Sequence, residues 1–301
     1  MLNVGCTQTI SRPIAARRIE MRPRFLPFLR EQRPPTFLIW APRYTHRSSG
    51  VRALFRLCHH LNAKGFSAAI KGSGHPPKAW LTPFYSGSAS QSIVIYPEVV
   101  SGNPLKAPKI IRWVMNDPGL LGGDASYPSE EMVFVYDANK LPIASIAARE
   151  NLGPERVIWF GLIDPEAIYP DPSIPKTLSL SFTHKGHALQ QAFPLPRGVK
   201  TIPLEKVASN MKHLGDSLRR CKTLYSYDHY SNVLREAVIS GCEVLVVSKE
   251  RDWHDPRTCD CSLNIHWHSN LMESYAEHFH DNRFVDGFIH EVEKRWNVTS
   301  G

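Results

Sequence analysis

Two acids, Asp228 and Glu236, stand eight residues apart in the run Leu224-Tyr-Ser-Tyr-Asp-His-Tyr-Ser-Asn-Val-Leu-Arg-Glu-Ala-Val-Ile-Ser-Gly-Cys-Glu-Val-Leu-Val-Val247. The run reads as a strand ending at Asp228, a loop of small polar residues, a helix carrying Glu236, a stop at Gly241 and a fully apolar strand. In open parallel sheets ligands bind where strands end, and the N–H groups at the following helix start suit anions. Ser231, Asn232 and Val233 supply such N–H groups here. Each acid also has a plain reading, Asp228 as a helix cap and Glu236 as an exposed helix acid.

Other strand ends carry chemistry of the same kind. Thr183-His184-Lys185-Gly186 follows an apolar run and offers the Lys185 charge to an anion, alone or with His184. His46-Arg47-Ser48-Ser49-Gly50-Val51 joins a strand to a helix through small residues that allow close backbone approach. Glu98, Ser101, Gly102 and Asn103 stand at a further strand end, the Gly-Asn-Pro stretch reading equally well as a turn. His254, Cys259, Cys261, His266 and His268 are of metal-ligand type, but their spacing matches no standard zinc pattern, and ordinary surface and core roles are the expectation. The chain has neither the three-glycine dinucleotide fingerprint nor a Walker loop, so nicotinamide and ATP chemistry lack support. No Asp-x-Asp occurs in the chain.

These turns need elements to hold them. Strands are predicted at Phe37–Trp40, Phe66–Ile70, Ser92–Tyr96, Lys109–Val114, Met132–Tyr136 and Val157–Phe160, with a helix over Val51–Asn62 carried by apolar residues at helical spacing. Four prolines in Asp164–Lys176 deny that stretch helix and central strand. A second series follows, with strands at Thr177–Phe182, Gly198–Ile202, Thr223–Tyr227, Glu243–Ser248 and Leu263–Trp267. Helices are predicted at about Leu204–Arg220 and Tyr230–Ser240, and a closing helix or helix pair from Ser269 to Trp296. Strands separated by long crossovers pair in parallel. The expected architecture is α/β, two Rossmann-like domains facing each other across a cleft. Its parts are a basic arm over 1–35, a first domain over 36–165, a linker over 166–176 and a second domain over 177–301.

The 301 residues carry a formal charge of +8, and residues 1–33 hold seven Arg, no Lys and two acids, a net of +5. The basic character thus belongs mostly to the arm, which also holds Phe25, Leu26, Phe28 and Leu29. Peripheral contact with an acidic membrane surface is one reading of the arm, a solvated extension the other. The nearly balanced body makes nucleic acid an unfavoured partner. Six scattered cysteines suit a reducing compartment. With no apolar run long enough to span a bilayer and no signal-peptide core, a cytoplasmic protein, peripheral at the inner face of the membrane if the arm binds there, is expected.

The acid pair resembles the Glu-x7-Glu element of retaining GT-B glycosyltransferases, with Asp in the first position. Val94-Ile-Tyr-Pro-Glu-Val-Val-Ser-Gly-Asn-Pro-Leu105 and Arg112-Trp-Val-Met-Asn-Asp-Pro-Gly119 resemble bacterial glycosyltransferases of surface-polysaccharide and lipopolysaccharide assembly. The likeness runs in order over about residues 36–250. It implies the GT-B fold and metal-independent transfer of a sugar from a nucleotide-diphosphate sugar to a glycan or lipid-linked acceptor. By it, Glu236 would hold the ribose hydroxyls, Asp228 would contact the donor sugar, and Lys185 would face the diphosphate. Ser49, Gly50, His184, Gly186, Tyr227, Ser231, Asn232 and Val233 would complete the donor side. The acceptor side would comprise His46, Glu98, Ser101, Gly102, Asn103, Asn116 and Asp117, with His46 or Asp117 assisting the acceptor hydroxyl. The family's Arg before the Lys is missing, since Leu180 stands there, and Asp at the first acidic position weakens the inference of retention. Transfer to DNA, and a catalytically reduced partner protein of the same fold, are the competing readings.

Overall fold

Phe37–Trp40 and Ile93–Pro97 are buried along nearly their whole length, as strands covered on both faces must be. The computed structural model, which describes residues 33–258, 267 and 272–296, places them in a sheet of parallel strands. These are β1 (Phe37–Trp40), β2 (Ala68–Lys71), β3 (Ile93–Pro97), β4 (Lys109–Val114) and β5 (Met132–Val135), in the order β2-β1-β3-β4-β5. A second parallel sheet holds β6 (Leu178–Phe182), β7 (Ile202–Pro203), β8 (Cys221–Ser226) and β9 (Glu243–Val246), in the order β7-β6-β8-β9. The chain is therefore mixed α/β, with two parallel sheets compatible with Rossmann-like lobes. From Pro34 onward it belongs to one compact unit that contains both sheets.

Helix α1 (Ser49–Ala63) is capped by Ser48, whose hydroxyl accepts from the Val51 N–H at 3.3 Å. Its apolar residues, among them Leu54, Phe55, Cys58 and Leu61, pack on the first sheet. Its opposite stripe of Arg52, Arg56 and His60, one residue every four, is buried as well. Arg56 donates to the Phe279 carbonyl and lies 3.9 Å over the Phe279 ring. Burial lowers that guanidinium to about 10, with Asp164 opposing the shift. Thus α1 is clamped between the first sheet and the segments that return to it.

The second lobe adds α3 (His187–Ala192), α4 (Leu204–Val207), α5 (Met211–Arg220) and α6 (Val233–Ile239), after α2 (Leu141–Ala148) of the first. Closing helices run over Tyr275–His280 and Phe284–Arg295. The latter buries Val285, Phe288, Ile289 and Val292 in the first core, with the Phe288 ring 5.6 Å from Phe37 and 5.0 Å from Phe134.

Several expected elements differ. The strand expected from Phe66 starts at Ala68, because the Asn62 side chain exchanges two hydrogen bonds with the Ala68 backbone and Gly65 turns at φ +87°. Val157–Phe160 is apolar but joins the first sheet through one bridge, Val135 to Val157. Gly198–Ile202 contributes only β7. The single helix expected over Leu204–Arg220 is two, since Ala208 leaves helical geometry and the Asn210 side chain caps α5 by accepting from the His213 N–H. Residues 263–266 of the expected Leu263–Trp267 strand lie outside the described residues. So do Cys259, Cys261, His268 and arm residues 1–32. Among the described residues no group of three or more metal-ligand side chains gathers, and no helix is long and apolar enough to cross a membrane.

Candidate functional site

Each sheet reverses its strand order beside its first strand, between β1 and β3 in one and between β6 and β8 in the other. Connections leave such a point toward opposite faces and open a crevice at the carboxyl ends of the strands. The residues after these four strands accordingly meet. Ser49 and Gly50 after β1, Glu98 after β3, His184 and Lys185 after β6, and Ser231 and Asn232 after β8 line one cleft of about 390 Å³. Asn116 lines it too.

Four cationic side chains, Arg47, Lys140, Lys185 and Arg235, line the cleft against two carboxyls, Glu98 and Asp137. Burial raises the Glu98 carboxyl, opposed by hydrogen bonds from the Met115 N–H at 3.0 Å and from Asn116. The cleft is thus biased toward an anion. Lys140 also holds Asp117 at 2.8 Å, so part of its charge is met within the protein. Gly50 invites close approach for a testable reason: an added Cβ would meet only Met115, at 3.7 Å, so packing does not demand a glycine there.

Asp228 does not line the cleft. It is buried, its Oδ1 accepts the N–H groups of Tyr230 at 2.6 Å and Ser231 at 3.1 Å, and its Oδ2 accepts from His184 Nδ1 at 2.7 Å and the Lys185 N–H at 3.3 Å. Burial alone would raise this carboxyl, but those bonds outweigh it and hold the group below the usual range. Glu236 is fully buried and faces the first lobe, where Arg52 Nη1 donates to its Oε1 at 2.7 Å. Of the three loop N–H groups assigned to a ligand, two serve the loop itself: Ser231 donates to Asp228, and Val233 to the Ser231 hydroxyl at 3.4 Å.

Other expected site residues hold the scaffold. The Tyr227 ring meets Trp253 edge-on at 5.1 Å. His46 Nε2 donates to the Ala208 carbonyl at 2.9 Å across the lobes, and burial lowers its imidazole. Ser101, Gly102 and Asn103 lie outside the cleft, in a turn. The Asn103 side chain pairs with the Ala107 backbone in both directions, and the buried Arg112, bidentate to Glu131, donates to the Val100 and Gly102 carbonyls. Gly186 is a packing glycine: a Cβ there would lie 2.0 Å from the Tyr227 carbonyl oxygen. Gly186→Ala is expected to cost about 1–3 kcal/mol in chemical denaturation. A change under about 0.5 kcal/mol would show that the turn yields freely.

Sequence reasoning passed over Arg47, Lys140 and Arg235. Arg235 had a readable signal, since it follows Asn232 by three residues and shares its helix face. Comparison of the chain with known protein families and with curated proteins finds no match.

Proposed function

We propose that this protein is a two-lobed glycosyltransferase of the GT-B type, moving a sugar from a nucleotide-diphosphate sugar to a glycan or lipid-linked acceptor in surface-polysaccharide assembly. The observation that carries the reading is the single cleft at both strand-order reversals, lined by Arg47, Lys140, Lys185 and Arg235. A diphosphate leaving group needs such charge around it, because the negative charge it gains must be stabilised more strongly as the bond to the sugar breaks. Ser49 and Gly50 of the first lobe would then close over the donor diphosphate with His184, Lys185 and Asn232 of the second, and Glu98 and Asn116 would face the acceptor side. Glu236 is fully buried against Arg52 and lies outside the cleft lining, so the ribose role does not pass to it in this reading. The arm would add a peripheral membrane contact.

Thermal unfolding with UDP, GDP, CDP, ADP and dTDP, on the wild type and on Lys185→Ala, tests the reading. Lys185 is exposed, so its removal leaves the fold intact. One nucleotide at 100 times its Kd is expected to stabilise the wild type by about 2.7 kcal/mol, and the variant far less at the same concentration. No shift with any nucleotide would reject a nucleotide-sugar donor.

A further inference from the structure

His184 combines four features that packing alone does not require together. Its backbone sits at φ +34°, a left-handed conformation uncommon for a residue with a side chain, and such strain concentrates at functional positions. Its ring stacks on Phe182, with centroids 5.6 Å apart and planes within 8°. Its Nδ1 lies 2.7 Å from Asp228 Oδ2. The side chain nonetheless remains 30% exposed and lines the cleft.

The hydrogen bond decides what the free edge of the ring can do. Asp228 is an ionised acceptor fixed by backbone N–H groups, so Nδ1 carries a proton and donates it. In the neutral ring Nε2 then presents a lone pair, which repels an oxyanion. Only the imidazolium offers an N–H there. We infer that His184, oriented by Asp228, is a proton-carrying ligand for a phosphate group in the cleft, so that binding the phosphate takes up a proton. This deepens the nucleotide-sugar reading and rests on it for the phosphate alone. It also changes the part of Asp228, from a contact to donor sugar to a positioning residue acting through the imidazole.

The surroundings of the ring suit an anion. Asp228 meets the ring at Nδ1, and Glu205 Oε1 fixes the turn by accepting the backbone N–H groups of His184 at 3.3 Å and Thr183 at 3.1 Å. Lys185 in the same turn, Arg47 from the first lobe, bonded at 2.9 Å to the Glu205 carbonyl, and Arg235 of α6 line the cleft with His184. Tyr230 beside Asp228 also lines the cleft. A phosphate held among these cations meets the Nε2 edge, which donates to it only as the imidazolium, and this couples ligand to proton.

The test uses the full chain labelled with ¹⁵N-histidine, the His184 signals being assigned from His184→Gln, and inorganic pyrophosphate as probe. Long-range ¹H–¹⁵N spectra across pH are expected to show Nδ1 protonated throughout and Nε2 titrating. Saturating pyrophosphate should raise the midpoint by about one unit or more, and Asp228→Asn should lower it. Calorimetry in buffers of different ionisation heat should find proton uptake with the wild type above the midpoint, and its loss in His184→Gln. Absence of pyrophosphate binding, an unmoved midpoint, or uptake that persists in His184→Gln would overturn the inference, whether or not Asp228→Asn folds. If pyrophosphate engages His184 while no nucleotide binds preferentially, the glycosyltransferase reading fails and the His184 assignment stands. Selective nucleotide binding with a silent His184 leaves the glycosyltransferase reading standing and overturns the assignment.

Discussion

Arg52→Met is expected to lower the unfolding free energy by about 3–5 kcal/mol, because it strands a carboxylate in the interior. Glu236 is completely buried; its Oε1 is held by Arg52 at 2.7 Å and its Oε2 has no partner among the described residues. The same guanidinium donates to the Leu162 carbonyl at 3.2 Å, which loses its donor too. Methionine itself fits, since Arg52 already lies against the Met211 sulfur at 3.8 Å. The loss therefore belongs to the orphaned polar groups rather than to a void. The double variant Arg52→Met, Glu236→Leu should regain most of the stability, as apolar replacement of both partners removes the uncompensated charge. Urea unfolding of the three proteins measures this. A single variant within about 1 kcal/mol of the wild type would show that the pair contributes little to joining α1 to α6. The same geometry makes Glu236→Ala a poor probe of ligand binding, since it would strand Arg52.

Acid should weaken the fold through His60. This side chain is 2% exposed, its ring is edge-on to Phe160 at 5.0 Å and to Phe284 at 5.3 Å, and its Nε2 has no hydrogen-bond partner among the described residues. Burial first, then the neighbouring Arg56 and His59, push its imidazole down to about 3. In the unfolded chain the same group titrates near 6.5. Below that pH the unfolded state binds a proton that the folded state refuses, so stability falls as pH falls, by about 1.4 kcal/mol per unit, levelling off only near the folded value. Between pH 7 and 5 the wild type is expected to lose about 2 kcal/mol more than His60→Leu. His59, lowered to about 4, acts in the same direction in both proteins. Equal losses would mean that His60 is charged or solvated when folded.

Local structure was legible in the sequence where local forces decide it. Lys109–Val114 is a strand with the expected limits, and the switch from Val51 to the Gly65 stop yields α1 because both its start and its end carry their own signals. That the turns at His184, Lys185, Ser49 and Glu98 share a cleft was readable because parallel strands all end on one side of a sheet. What could not be read was how distant elements meet. Arg52, Arg56 and His60 form a polar stripe at helical spacing, which ordinarily means solvent; here linker and closing segments cover it. Asp228 and Glu236 share a run, yet one turns to His184, 44 residues away, and the other to Arg52, 184 residues away. Val157–Phe160 has a strand's composition, and only the position of the sheet's edge leaves it with a single bridge.

The return of the Phe284–Arg295 helix to the first core bears on the protein's synthesis. Phe37 leaves the ribosome some 250 residues before Phe288, which packs against it. At about 5–20 residues per second that interval is roughly 10–50 s. Throughout it the nascent first sheet can pair its strands but cannot bury Phe37 and Phe134 beneath their final cover. The second lobe, whose core draws mainly on residues 163–246, can close on itself first. The first lobe thus starts to be made before the second yet receives its cover after it, and in the interval one apolar face of its sheet stays uncovered.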